Sequence, residues 1–99
     1  MLSVKKPYQF VWDEGNKNKN LSKHKITNNE CEEIFFDKKK KMLKDKIHSK
    51  NEDRFVILGK TKNNKLLFVV FTIRGKKIRI ISARKISKTK EVNLYEKSN

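Results

Sequence analysis

Few side chains in this sequence could do chemistry. Lys23-His24, His48 and Glu52 can carry protons, and Arg54, Arg74, Arg79 and Arg84 can hold negative charge. Cleaving RNA without a metal needs that combination. A base takes the 2′-hydroxyl proton, donors face the charge developing at phosphorus, and an acid protonates the leaving 5′-oxygen. Histidine suits either proton role, with an unperturbed pKa of about 6.5. Guanidinium groups grip phosphate oxygens bidentately and stay charged at every relevant pH. Each residue also has a plainer reading. Strand-end arginines blunt sheet edges as solvated charges, and Lys23-His24 suits a helix C-terminus, where positive charge favours the dipole. Other chemistries find no support. His24, Cys31 and His48 lack paired ligand spacing, three scattered glycines make no phosphate loop, and no serine sits in a nucleophile context.

The element that must position the arginines is the stretch 54–84, RFVILGKTKNNKLLFVVFTIRGKKIRIISAR. It holds most of the strong β-formers and is broken twice. Asn63-Asn64 permits a two-residue I′ turn, and Gly75-Lys76 suits a II′ turn. Two such turns predict a three-stranded antiparallel meander with Leu58 across from Val69 and Phe71 across from Ile80. Val56, Leu58, Leu67, Val69, Phe71, Ile73, Ile78 and Ile80 then share one face; Phe55, Ile57, Phe68, Val70 and Ile81 take the other. In this register Arg79 and Arg84 face opposite sides. The middle run, 66–71, is apolar on both faces, as a covered central strand should be.

Before the meander, Tyr8 to Trp12 reads as a short edge strand behind Pro7, with Tyr8, Phe10 and Trp12 on one face. Asp13 suits the N-cap of a polar helix running to about Lys23. Thr27-Asn28-Asn29-Glu30 fits a capping box, Ile26 can staple against Cys31, and Cys31, Ile34 and Phe35 form an apolar stripe ending near Asp37. Residues 38–50 hold seven lysines against one aspartate. This run reads as a solvated connection, or as an electrostatic lip for a polyanion. Ser87 suits the N-cap of a last helix to about Glu96, with Val92 and Tyr95 inward. Lys88 and Lys90 in its first turn oppose the dipole, which makes it the weakest element.

A chain of 99 residues supports one domain, 1–99. Its 26 basic against 11 acidic residues give +15 and favour a polyanionic partner. The single cysteine excludes an internal disulfide and agrees with a reducing cytoplasm. No run has transmembrane length, and the N-terminus lacks a signal-peptide core, so no membrane association is expected.

The order of residues adds a resemblance. Phe10-x-Trp12-Asp13 is followed by Asn20-x-x-Lys23-His24, Phe35-Phe36-Asp37, Asp45-x-x-His48-Ser49-x-x-Glu52-x-Arg54 and Gly59. Then come Val69-Val70-Phe71-Thr72-x-Arg74 and Ile78-Arg79-Ile80-Ile81-Ser82-Ala83-Arg84. From about Phe10 to Glu96 the chain closely resembles the BrnT family of toxins from bacterial type II toxin-antitoxin systems. The resemblance implies an α+β, RelE-like fold: an antiparallel sheet, made of the 54–84 meander plus the N-terminal strand, packed with two N-terminal helices and a C-terminal one. It also implies a cytoplasmic ribonuclease that blocks translation and a BrnA-type antitoxin partner with a ribbon-helix-helix part. The pair would bind operator DNA through the antitoxin and repress their own operon. No cofactor or metal is implied. The expected catalytic set is Lys23, His24, Glu52, Arg54, Arg74 and Arg84, with Arg79, His48 and Lys60 as further RNA contacts. Glu52 is either the base or an arginine's structural partner. Asn16 stands where the family usually has lysine, which puts one phosphate contact in doubt. Lys25 stands where the family usually has glycine, which leaves the helix end less sharply defined.

Two other readings fit the same residues. A non-catalytic RNA- or DNA-binding protein needs only the positive charge, although exposed aromatics suited to base stacking are scarce and the sheet aromatics are committed to the core. A degenerate toxin would keep antitoxin binding and lose the nuclease.

Overall fold

A computed structural model describes residues 6–18, 23–46 and 52–97. Their strands are β1 (Phe10–Val11), β2 (Lys41–Asp45), β3 (Arg54–Lys60), β4 (Leu66–Arg74) and β5 (Lys77–Lys85); the helices are α1 (Asn28–Glu33) and α2 (Thr89–Glu96). The strands form one sheet in the order β1-β5-β4-β3-β2. The meander β3-β4-β5 is antiparallel as expected, but β1 joins β5 in parallel, so the sheet is mixed. None of the helices is long and apolar enough to cross a membrane.

The second turn follows its sequence. Gly75 takes φ +63°, Arg74 pairs with Lys77, and Phe71 lies across from Ile80. The first turn differs. A I′ turn needs positive φ at both central residues, and of Asn63 and Asn64 only Asn64 has it, at 65°. The chain makes a wider loop over 61–65, organised by Thr61, whose hydroxyl accepts from the N–H groups of Asn63 and Lys65. Leu58 therefore pairs with Phe68, not Val69. A one-residue slip turns every side chain of a strand over. Ile57 joins Leu67, Val69, Phe71, Ile78 and Ile80 on one face, and Val56 and Leu58 join Phe68 and Val70 on the other.

The first face is covered by Ile26, α1 and the 310 turn Ile34–Phe36. The capping box forms: Thr27 accepts from the Glu30 N–H, and the Glu30 carboxylate accepts from the Thr27 N–H. Ile26, Cys31, Ile34 and Phe35 are wholly buried. Phe35 sits edge-on to Tyr8, Phe10 and Phe71, with centroids 5.2–5.8 Å apart. Gly59 allows this closeness, because a Cβ there would meet Ile34 Cβ and O at 2.9 Å. α2 lies against the second face through Tyr95, whose hydroxyl donates to Asp37.

Three further expectations are corrected. Residues 14–18 form a turn, not the start of a helix, because Asp13 Oδ1 accepts from the Gly15 N–H and its carbonyl from Asn16 and Lys17. Residues 19–22 lie outside the described residues, and Lys23 and His24 are helical. The lysine-rich stretch is not simply a connection: residues 41–45 form edge strand β2, whose Met42 packs on the first core face. α2 begins after Lys88, without a side-chain cap, instead of at Ser87.

Candidate functional site

The four arginines occupy one face of the sheet, the one that α2 packs against. Phe68, Val70, Thr72 and Arg74 alternate onto that face of β4, and Thr72 pairs with Arg79. Past Ile80 the pairing shifts: Val70 pairs with Ser82 and Phe68 with Arg84, which leaves Ile81 as a bulge. The extra residue resets the alternation, so Arg84 faces the same way as Arg79. This overturns the expected split. On β3, Arg54 alternates with Val56 and Leu58, which also belong to this face. One step beyond the Phe55–Phe71 pair, Arg54 lies across from Thr72. Thr72 is buried and donates to the Asp53 carbonyl at 2.7 Å.

Carboxylates hold three of these guanidiniums. Glu52 accepts from Arg74 Nε at 2.9 Å and Nη2 at 3.3 Å. Asp13 accepts from Arg79 Nη1 at 2.5 Å. Glu91, from α2, takes Arg84 bidentately at 2.9 and 2.5 Å, while the guanidinium stacks 4.1 Å from the Phe68 centroid. The hydrogen bond from Arg74, with the fields of Arg74, Arg54 and Arg79, holds the Glu52 carboxyl below its ordinary value. Hydrogen bonds from Arg79 and the Gly15 N–H do the same for Asp13, and that from Arg84 for Glu91. Glu52 thus hydrogen-bonds one guanidinium, that of Arg74, and lies in the field of two more, Arg54 and Arg79.

The turn after β1 is a seat for Arg79. A Cβ on Gly15 would lie 2.9 Å from Arg79 Nη2, so the guanidinium passes directly over that glycine. Asn16, only 3% exposed, pins the turn down. Its Nδ2 donates to the carbonyls of Val11 (2.8 Å) and Ile80 (3.0 Å), and its Oδ1 accepts from the Asp13 N–H (2.7 Å). The position where a phosphate contact was in doubt is a buried structural amide.

Of the expected residues, the structure gathers Glu52, Arg54, Arg74 and Arg79. Arg84 lies on the same face but four positions further along β4, about 13 Å away by strand rise. Lys60 stands at the other end of β3, its ammonium 5.8 Å from the Tyr95 centroid. Lys23 and His24 are exposed and make no hydrogen bond or ion pair with the arginines; they lead into Ile26, buried under the first face. His48 lies outside the described residues. Asp13, Gly15 and Glu91 were not anticipated here. The sequence suggested Asp13 only as a helix N-cap, and its arginine partner lies 66 residues away.

A family model described as the ribonuclease toxin BrnT of type II toxin-antitoxin systems matches residues 12–90. The chain belongs to the BrnT family. No curated protein matches it. The match spans Asp13, the arginine face and the start of α2, so the seat of Arg79 and the bulge that aligns Arg84 are parts of a BrnT toxin domain. Among the described residues of this BrnT chain, no group of three or more His, Cys, Asp or Glu could hold a metal ion. Lys25 takes the left-handed conformation that glycine favours, φ 61°.

Proposed function

We propose that this chain is an active toxin that cleaves RNA by 2′-hydroxyl attack, with arginines in the charge-stabilising role a metal takes elsewhere, and so blocks translation. The gathering of the arginines on one sheet face, with Arg54, Arg74 and Arg79 around Glu52, carries the reading. Arg74 and Arg79, pre-aimed by Glu52 and Asp13, hold the scissile phosphate; Arg54 and Arg84 extend the grip along the strand. A phosphate that binds there competes with these carboxylates for the guanidinium donors. Lys23 and His24 carry the protons, which requires the RNA to reach their segment. The sheet is mixed and carries one helix on each face, so the RelE-like arrangement is not matched in detail and the reading rests on the arginine face instead. A BrnA-type antitoxin with a ribbon-helix-helix part would neutralise the toxin, and the pair would repress their operon.

Induced expression in a bacterial host tests this reading. Growth should stop, and primer extension should reveal newly truncated transcripts, with both effects absent for Arg74→Ala and relieved by the neighbouring antitoxin gene. Growth arrest with intact transcripts would contradict the nuclease reading. One observation favours a second reading, a toxin fold that binds RNA without cutting it: among the described residues no imidazole touches the arginine group.

A further inference from the structure

A second basic region lies at the opposite end of β3 from the arginines, and its charge is differently disposed. Two adjoining depressions, of about 660 and 410 Å3, meet at Lys60 and Tyr95. Lys39 lines both. Lys62 and Phe36 line the first, and Lys38 and Lys97 the second. Among the described residues, Lys38, Lys39, Lys60, Lys62 and Lys97 form no ion pair, whereas Arg74, Arg79 and Arg84 each hold a carboxylate. Three carboxylates share the walls, Glu33 and Asp37 in the first depression and Glu96 in the second, against six lysines. Asp37 accepts from the Tyr95 hydroxyl and from the Lys39 and Lys60 N–H groups, and Glu33 accepts from the Lys62 N–H. Phe36, 61% exposed, stands at the rim with its ring against Tyr8 at 5.2 Å.

An excess of ammonium groups over carboxylates along a trough, beside an exposed flat ring, is what single-stranded RNA needs: point charges for phosphates and a sequence-tolerant stacking platform. We infer that this trough is a second RNA-binding subsite, which holds the strand at a distance from the arginines. The inference rests on the reading of RNA as the substrate. Lys60 and Arg54 close the two ends of β3, about 20 Å apart by strand rise. The two sites together therefore demand a longer strand than the arginine group alone, within the span of about 4–16 nucleotides typical of single-strand binders. Phe36 stacks one base, and the lysines neutralise the neighbouring phosphates. A transcript is thereby favoured over a short fragment without any base being read.

Binding of fluorescein-labelled 2′-O-methyl RNAs of about 4 and about 16 nucleotides, followed by anisotropy against salt, tests the subsite. These RNAs lack the 2′-hydroxyl nucleophile, so the result stands apart from whether the chain cleaves RNA. The wild-type chain should bind the longer RNA more tightly and with a steeper salt dependence. Lys38→Gln/Lys39→Gln/Lys97→Gln should lose most of that length advantage and about 2 from the log–log salt slope, at about 0.7 for each phosphate contact. Phe36→Ala should weaken the longer RNA roughly tenfold, the loss of one stacked base. Unchanged melting temperatures would certify the fold of both variants. Equal binding of the longer RNA by wild type and the triple variant would overturn the inference and leave the trough to an acidic protein segment.

Discussion

The side-chain amide of Asn16 donates to the carbonyl of Ile80, 64 residues later in the chain and 3.0 Å away. Ile80 is the last residue before the bulge that brings Arg84 onto the face of Arg79. One buried amide therefore joins the turn that seats Arg79 to the irregularity that aligns Arg84. Asn16→Ala leaves two carbonyls and one N–H without their partner. It should cost about 2–3 kcal/mol, read as a lower urea midpoint. A loss below about 0.5 kcal/mol would mean that water replaces the amide.

Two glycines should separate activity from stability. At Gly15 an added Cβ meets the far end of the Arg79 side chain, which can move aside. Gly15→Ala should keep its melting temperature while RNA cleavage drops roughly 10- to 100-fold, as expected for a displaced phosphate ligand. At Gly59 the added Cβ meets the backbone and Cβ of Ile34, which cannot move aside without the 310 turn. Gly59→Ala should lose roughly 1–3 kcal/mol of stability through overpacking. The reverse pattern would show that Arg79 plays no part in cleavage.

The carboxylates fix the acid side of the stability profile. Asp13, Glu52 and Glu91 have folded-state values below their ordinary 3.8 and 4.5, because arginine hydrogen bonds favour the charged form. Stability from these groups is present above the ordinary values and is lost as pH falls through the lowered ones. On the alkaline side burial pushes the Cys31 thiol from 9.0 up to about 12, and burial with the Asp37 bond raises Tyr95. Their contribution is present below the ordinary values and is lost as pH rises. Chemical denaturation should give a plateau between about pH 5 and 9, falling on both sides. Cys31 should stay inert to thiol reagents on the plateau until the chain unfolds. Rapid modification at neutral pH would contradict its burial.

Lys25 holds a left-handed backbone that disfavours a side chain. Lys25→Gly should stabilise the chain by about 1 kcal/mol, because glycine adopts this conformation without the Cβ clash. A melting temperature unchanged or lowered would mean that the lysine side chain contributes contacts that offset the strain.

What the sequence disclosed was local. Thr27 with Glu30 announced the capping box, Gly75 announced its turn, and Tyr8, Phe10 and Trp12 were assigned to one face and do pack on one core layer. The errors came from two single-residue choices with long reach. Thr61 organises a loop wider than the Asn-Asn pair suggests, and this turned over all of β3. The bulge at Ile81 has no residue signature, since neither glycine nor proline marks it, yet it decides which arginines act together. Strand β2 was hidden because its lysines read as solvated charge, although Met42 faces the core from the sheet edge. The carboxylate partners Asp13 and Glu91 could be assigned only once the fold had brought them to their arginines.

The most direct measurement is cleavage of a defined RNA by the purified chain in EDTA, with Arg79→Ala and His24→Ala in parallel. The wild-type chain should produce fragments ending in 2′,3′-cyclic phosphate. Arg79→Ala should be slower by about 100-fold or more, the usual cost of removing one donor to the developing charge, while its fold persists. His24→Ala should also be slower. Cleavage that needs added metal, or folded variants that cut as fast as wild type, would contradict an arginine-held phosphate as the basis of this toxin's action.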